Sequence, residues 1–201
     1  MCRKKISSRK EISQKILDIA LSPGKDKKLI VTANFSYRGL IRDFIMLLKY
    51  RKNPHVAKFM TELMYPLIDT PGSVIFCPVP AHPLRLVSRG YNQSMELAKE
   101  MAQRFHQGTV VDALVRRRNT PQQKKKTFLK RYQNIHNAIG LRPNAHSHLM
   151  RKDIILLDDV CTSGATLVEC AKVLLTDGGV ANVKACVFAL ATKKDPNSYS
   201  F

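Results

Sequence analysis

The run Ile154-Ile155-Leu156-Leu157-Asp158-Asp159-Val160-Cys161-Thr162-Ser163-Gly164-Ala165-Thr166 concentrates the chemistry of this chain: apolar residues, two carboxylates, then a small hydroxyl-bearing turn. The apolar stretch reads as a buried strand that delivers Asp158 and Asp159 to the carboxyl edge of a sheet, where open α/β sheets bind their ligands. Thr162, Ser163, Gly164, Ala165 and Thr166 then open a helix. Backbone N–H groups, hydroxyls and the positive end of the helix dipole converge there, which makes a cradle for a phosphate dianion without a lysine. Carboxylates beside such a cradle meet the hydroxyls of a sugar. No Gly-Lys-Ser or Gly-Lys-Thr occurs, so the run is not a Walker A loop.

Two further groups of residues bear on the same chemistry. Cys77-Pro78-Val79-Pro80 must end a strand, because proline donates no ladder hydrogen bond. The loop that follows, expected from Ala81 to Tyr91, carries Arg85 and Arg89 at the edge where an anion would sit. From Arg116 to Arg131 the chain has too few apolar side chains to bury, and an exposed, mobile loop is expected. Its Thr120, Gln123, Lys124, Lys125, Lys126 and Arg131 are candidates for a lid over a diphosphate or for contacts with nucleic acid.

The elements that must position these groups alternate between strand and helix. Strands are expected at Lys28–Phe35, Val74–Cys77, Thr109–Val115, Ile154–Leu157 and Val183–Ala191. In Tyr37–Tyr50 the spacing of Ile41, Phe44, Ile45 and Leu48 is that of an amphipathic helix. Pro54 suits the first turn of another, with Val56, Phe59, Met60, Leu63, Met64 and Leu67 facing inward as core. Helices follow at Asn92–Phe105 and Ala165–Leu175, the last ended by Gly178-Gly179. The pattern predicts an α/β fold: a doubly wound, mainly parallel sheet with flanking helices. Residues 1–27 form a basic N-terminal arm or a docked helix, given the spacing of Ile12, Ile16 and Ile19, and residues 28–201 form the domain.

With 34 Lys and Arg against 15 Asp and Glu, the formal charge is +19, so the preferred partners are polyanions. No stretch approaches the roughly 18 to 20 apolar residues of a membrane span, and the basic N-terminus lacks the apolar segment of a signal peptide. Membrane insertion is not expected, and a cytoplasmic location is. Cys2, Cys77, Cys161, Cys170 and Cys186 form no CxxC pair and are read as reduced thiols.

The Ile154–Thr166 run resembles the signature of the type I phosphoribosyltransferases. Cys77-Pro78-Val79-Pro80, Arg85, Arg89-Gly90-Tyr91-Asn92-Gln93, Arg118, Thr120, Gln123, Arg131, Asn134 and Ala138 look like the pattern of their ComF/GntX branch, the competence protein F group. Tyr37-Arg38-Gly39-Leu40-Ile41 and Lys49-Tyr50-Arg51 are similar to that branch as well. The resemblance implies that Asp158 and Asp159 bind the ribose hydroxyls of 5-phosphoribosyl 1-diphosphate and that Thr162–Thr166 cradle its 5-phosphate. It implies Mg2+ held with the diphosphate, Arg85 and Arg89 offsetting the charge of that leaving group, and a place in natural transformation with single-stranded DNA and the DNA-uptake machinery as partners. Many members carry a four-cysteine zinc ribbon at the N-terminus, where this chain has Cys2, so zinc is not expected. Three functions fit these residues: a phosphoribosyltransferase with an unknown acceptor, a non-catalytic DNA-binding competence factor, and a metabolite sensor.

Overall fold

A computed structural model describes residues 13–21, 25–50, 54–70, 72–105, 107–117 and 135–191. Its centre is a six-stranded sheet built from β1 (Ser13–Ala20), β2 (Asp26–Ser36), β3 (Val74–Pro78), β4 (Gly108–Val110), β7 (Asp153–Cys161) and β8 (Asn182–Leu190), in the order β1-β2-β8-β7-β3-β4. Every pairing is parallel except β1 with β2. A separate antiparallel ribbon joins β5 (Leu114–Arg116) to β6 (Ile139–Leu141). The helices are α1 (Leu40–Tyr50), α2 (Pro54–Met64), α3 (Pro83–Arg89), α4 (Gln93–Arg104), α5 (His146–Leu149) and α6 (Ala165–Thr176).

Two apolar layers cover the sheet. One side packs Ile45, Leu48, Met60, Met64, Leu97 and Met101 of α1, α2 and α4 on Phe76, Leu157 and Phe188. The other packs Leu167, Cys170, Ala171 and Leu174 of α6 on Ile154, Leu156 and Val187. The methionine-rich helical faces are core, as their spacing predicts. β7 and β8 lie in the middle of the sheet and are almost wholly buried, and their apolar runs need cover on both faces.

Three local expectations are corrected. The segment read as an arm or docked helix is, over Ser13–Ala20, the antiparallel edge strand β1, registered from Ser13 beside Ala33 to Ala20 beside Asp26. The single strand expected at Thr109–Val115 is two: β4 pairs with β3 in the main sheet, while β5 turns away to pair with β6. The loop expected at Ala81–Tyr91 contains the short helix α3, whose N-cap His82 accepts the Leu84 N–H on Nδ1 at 3.2 Å, and which ends at Gly90 with φ 74°. Residues 118–134, which carry Thr120, Gln123, Lys124, Lys125, Lys126 and Arg131, lie outside the described residues, as do residues 1–12.

Candidate functional site

The strand β7 runs four residues beyond Leu157, so both acids belong to its last turn of pleat and not to the loop after it. Alternation along a strand then separates the two side chains. Asp158 meets α4: the Ser94 hydroxyl donates to Asp158 Oδ1 at 2.8 Å, and the backbone N–H of Asp159 donates to the same oxygen at 2.9 Å. Asp159 is buried and meets α1, where Lys49 Nζ lies 2.9 Å from Asp159 Oδ2. Burial and the neighbouring Asp159 carboxylate push the Asp158 carboxyl up to about 7, against the pull of the Ser94 hydrogen bond and the Lys49 charge.

The turn that follows is shaped by the edge strand. Lys15 of β1 donates from Nζ to the carbonyls of Thr162 at 3.0 Å and Ser163 at 3.4 Å. In a trans peptide the next N–H points opposite to the carbonyl, so these contacts turn the N–H groups of Ser163 and Gly164 away from β1. The Ser163 hydroxyl accepts the Ala165 N–H at 3.3 Å, and Gly164 (φ 88°) caps α6, its carbonyl accepting the Val168 N–H at 2.9 Å. Glycine suits this position on two counts: φ is left-handed, and a β-carbon would stand 2.4 Å from Leu17 Cδ1 of β1, which would have to shift.

On the opposite wall, α3 and α4 are set by their caps. Asn92 accepts the Ser94 N–H on Oδ1 at 3.1 Å and donates from Nδ2 to the Val79 carbonyl at 3.0 Å, which ties the start of α4 to the end of β3. The Tyr91 hydroxyl donates to the Leu48 carbonyl, one residue before Lys49. The walls thus enclose a cleft of about 230 Å³ lined by Asp158, Asp159, Thr162, Thr166, Arg89 and Lys49, together with His82, Asn92, Gln93, Ser94 and Arg116.

Of the residues singled out in the sequence, Asp158, Asp159, Thr162, Thr166 and Arg89 share this cleft, and Ser163, Gly164 and Ala165 form the turn at its edge. Arg85 belongs to α3. Sequence reasoning gave no site role to Lys49, His82, Gln93 or Ser94. The signal for Ser94 and Gln93 was their place in the first turn of a helix that starts at the sheet's carboxyl edge; for Lys49 it was membership of the Lys49-Tyr50-Arg51 block, which did not disclose its partner Asp159 far along the chain.

Among the described residues no three His, Cys, Asp or Glu side chains gather where they could hold one metal ion. Asp159 is already paired to Lys49. Cys77, Cys161, Cys170 and Cys186 are free and buried; burial pushes the thiols of Cys77 and Cys186 up to about 12 and that of Cys161 to about 11, so none is a nucleophile at neutral pH. No helix among the described residues is long and apolar enough to cross a membrane.

Residues 92–200 match the model of the phosphoribosyl transferase domain family. The chain is 32% identical over 161 residues to competence protein F of Haemophilus influenzae, covering 76% of this chain and 68% of that protein. It is 26% identical over 164 residues to the DNA utilization protein YhgH of Escherichia coli, covering 77% of this chain and 69% of that protein.

Proposed function

We propose, from the premise that this chain belongs to the ComF branch of the phosphoribosyltransferase family, that its carboxyl-edge cleft binds 5-phosphoribosyl 1-diphosphate with Mg2+ and that the protein acts in the handling of incoming DNA. The observation that carries the ligand is the union, in one cleft, of the acid pair at the end of β7, the Thr162–Thr166 turn and Arg89. In this reading the 5-phosphate takes the N–H groups and hydroxyls of the turn, and the ribose hydroxyls donate to Asp158 and Asp159. Arg89, with Arg85 from the same helix, offsets negative charge on the diphosphate. Magnesium, when bound, neutralises diphosphate oxygens and makes them a better leaving group.

If a nucleophile attacks the anomeric carbon, positive charge grows on the sugar while negative charge grows on the departing diphosphate. Fixed carboxylates on one side and fixed guanidinium groups on the other stabilise that separation without reorganising. Asp158 holds or releases a proton near neutral pH and so sets the charge of this pocket. Thr120, Gln123, Lys124, Lys125 and Lys126, the candidate diphosphate or nucleic-acid contacts, follow the cleft-lining Arg116 in sequence.

A second reading, a DNA-binding protein of the cytoplasm that keeps the pocket as a regulatory site, is favoured by the net charge of +19 and by the names of the relatives. Calorimetric titration of 5-phosphoribosyl 1-diphosphate with Mg2+ into the wild type and an Asp158→Asn, Asp159→Asn variant tests the ligand on which the first reading rests. Binding that the variant loses supports the first reading; no heat from the wild type removes it.

A further inference from the structure

A second open cleft lies apart from the one described above. It lies at the amino edge of the sheet, with a volume of about 470 Å³, between the first residues of β2, β3, β7 and β8 and the segment before β3. Ligand sites for small molecules fall in the range of roughly 300 to 1,000 Å³.

Strand register explains why it is open. On β8, Lys184 precedes the buried Cys186 and Phe188 on the same face, and it pairs in register with Ile155 of β7. On β2, Lys28 and Ile30 share a face, and the register that sets Val31 beside Ala185 sets Ile30 beside Lys184. This face of the sheet is core above that level and bare below it. Ile30 is 39% exposed there, a large apolar side chain flanked by ammonium groups. Inside the cleft that side chain offers an apolar surface beside two ammonium groups.

The polar groups of the cleft differ in whether the protein itself partners them. Lys27 donates to the Ala181 carbonyl at 3.3 Å, and Asn182 donates to Asp153 at 2.9 Å. Lys28 and Lys184, by contrast, make no hydrogen bond or ion pair among the described residues, and the buried Thr70 hydroxyl has no partner there either. The remaining acid, Asp69, stands on the Thr70 side.

We propose that this amino-edge cleft is a second ligand site, separate from the carboxyl-edge cleft, and that it takes a nucleotide unit: a phosphate between Lys28 and Lys184 and a flat ring on Ile30. A phosphate answers the two free ammonium groups, an aromatic ring covers the bare isoleucine, and a sugar hydroxyl can donate to Asp69 or accept from Thr70. The same unit comes either as a free mononucleotide or as one residue of a single strand. A duplex does not fit, because its bases are stacked and paired and cannot enter the cleft. The proposal is independent of phosphoribosyl binding, since β7 carries the two clefts at its opposite ends, Asp153, Ile154 and Ile155 at one and Asp158, Asp159 and Val160 at the other.

The test is fluorescence titration with a trinitrophenyl derivative of AMP, competed by AMP or by oligothymidylate, on the full chain. A Lys28→Ser, Lys184→Ser variant, whose substitutions are on exposed side chains, should keep the circular dichroism and melting point of the wild type and lose roughly tenfold or more in affinity. The Asp158→Asn, Asp159→Asn variant, compared at a temperature where circular dichroism shows it folded, should bind as the wild type does. Stronger competition by AMP identifies a free nucleotide, and stronger competition by oligothymidylate identifies a strand. Absence of binding to the wild type, unchanged affinity in the lysine variant, or loss in the aspartate variant each overturns the proposal. So does wild-type dimerisation abolished by the lysine substitutions, which would make the face a contact between two copies.

Discussion

Lys49 Nζ stands 2.9 Å from Asp159 Oδ2, and both side chains are only 8% exposed, so a helix outside the family-matched segment supplies the counter-charge for an acid of the signature. A pair this well buried is costly to break from one side, because the surviving charge keeps its desolvation without its partner. Lys49→Met should therefore lower stability to urea by about 3 to 5 kcal/mol. Adding Asp159→Asn to Lys49→Met should restore part of that loss, since it removes the stranded carboxylate. A double variant no more stable than Lys49→Met would show that the pair does not set the cost.

Stability should depend on pH through the same cluster. The Asp158 carboxyl, raised to about 7 by burial and by Asp159, ionises in the folded state well above the usual value of an unfolded aspartate. Between about pH 4 and pH 7 the folded form binds the extra proton, so the slope of unfolding free energy against pH is negative. The contribution is fully present below pH 4 and is lost as pH rises through 7. Asp158→Asn should flatten this limb in urea midpoints taken across that window, and Ser94→Ala, which removes the donor that favours the carboxylate, should move the upper end of the limb to higher pH. In the proposed complex, affinity for the ribose should rise through the same window, because only the carboxylate accepts both hydroxyl donors.

Gly164 answers two demands at once, a left-handed φ of 88° and the close approach of Leu17. Gly164→Ala should cost about 1 to 2 kcal/mol for the backbone conformation alone and more for the clash. In a Leu17→Ala background the clash is gone and the conformational cost remains. A double-mutant cycle read by urea melting should thus give a smaller, nonzero effect of Gly164→Ala there; equal effects in both backgrounds would separate β1 from the phosphate turn.

The acid pair and its turn were legible because a buried strand, a glycine turn and a helix start are all written locally between Ile154 and Thr166, and the mainly parallel sheet was legible because apolar runs alternate with helical periods. β1 was misread for a physical reason. Ile12, Ile16 and Ile19 mimic helical spacing, but Ile16 is 61% exposed and Ile19 buried, which is what opposite faces of a strand require. Pairing with β2 decides the conformation, and pairing leaves no local mark. α3 escaped because seven residues are too few to show a period and Leu84, Leu86 and Val87 face solvent. Lys49 escaped because a charge's partner across the fold cannot be read from its neighbours in sequence.

Gln93 gives the sharpest separation of folding from binding. Its side chain is in the cleft wall and 6% exposed, yet Nε2 has no hydrogen-bond partner among the described residues. A buried donor left without an acceptor is a standing cost to the fold, so replacing it by an apolar side chain of similar length removes a penalty. Gln93→Met should leave the urea midpoint unchanged or raise it. The same change should weaken binding of 5-phosphoribosyl 1-diphosphate by about 1 to 2 kcal/mol, because the amide is the group that a ligand oxygen would satisfy. A fall in both midpoint and affinity would mean that Gln93 supports the wall; a fall in affinity alone means that it meets the ligand.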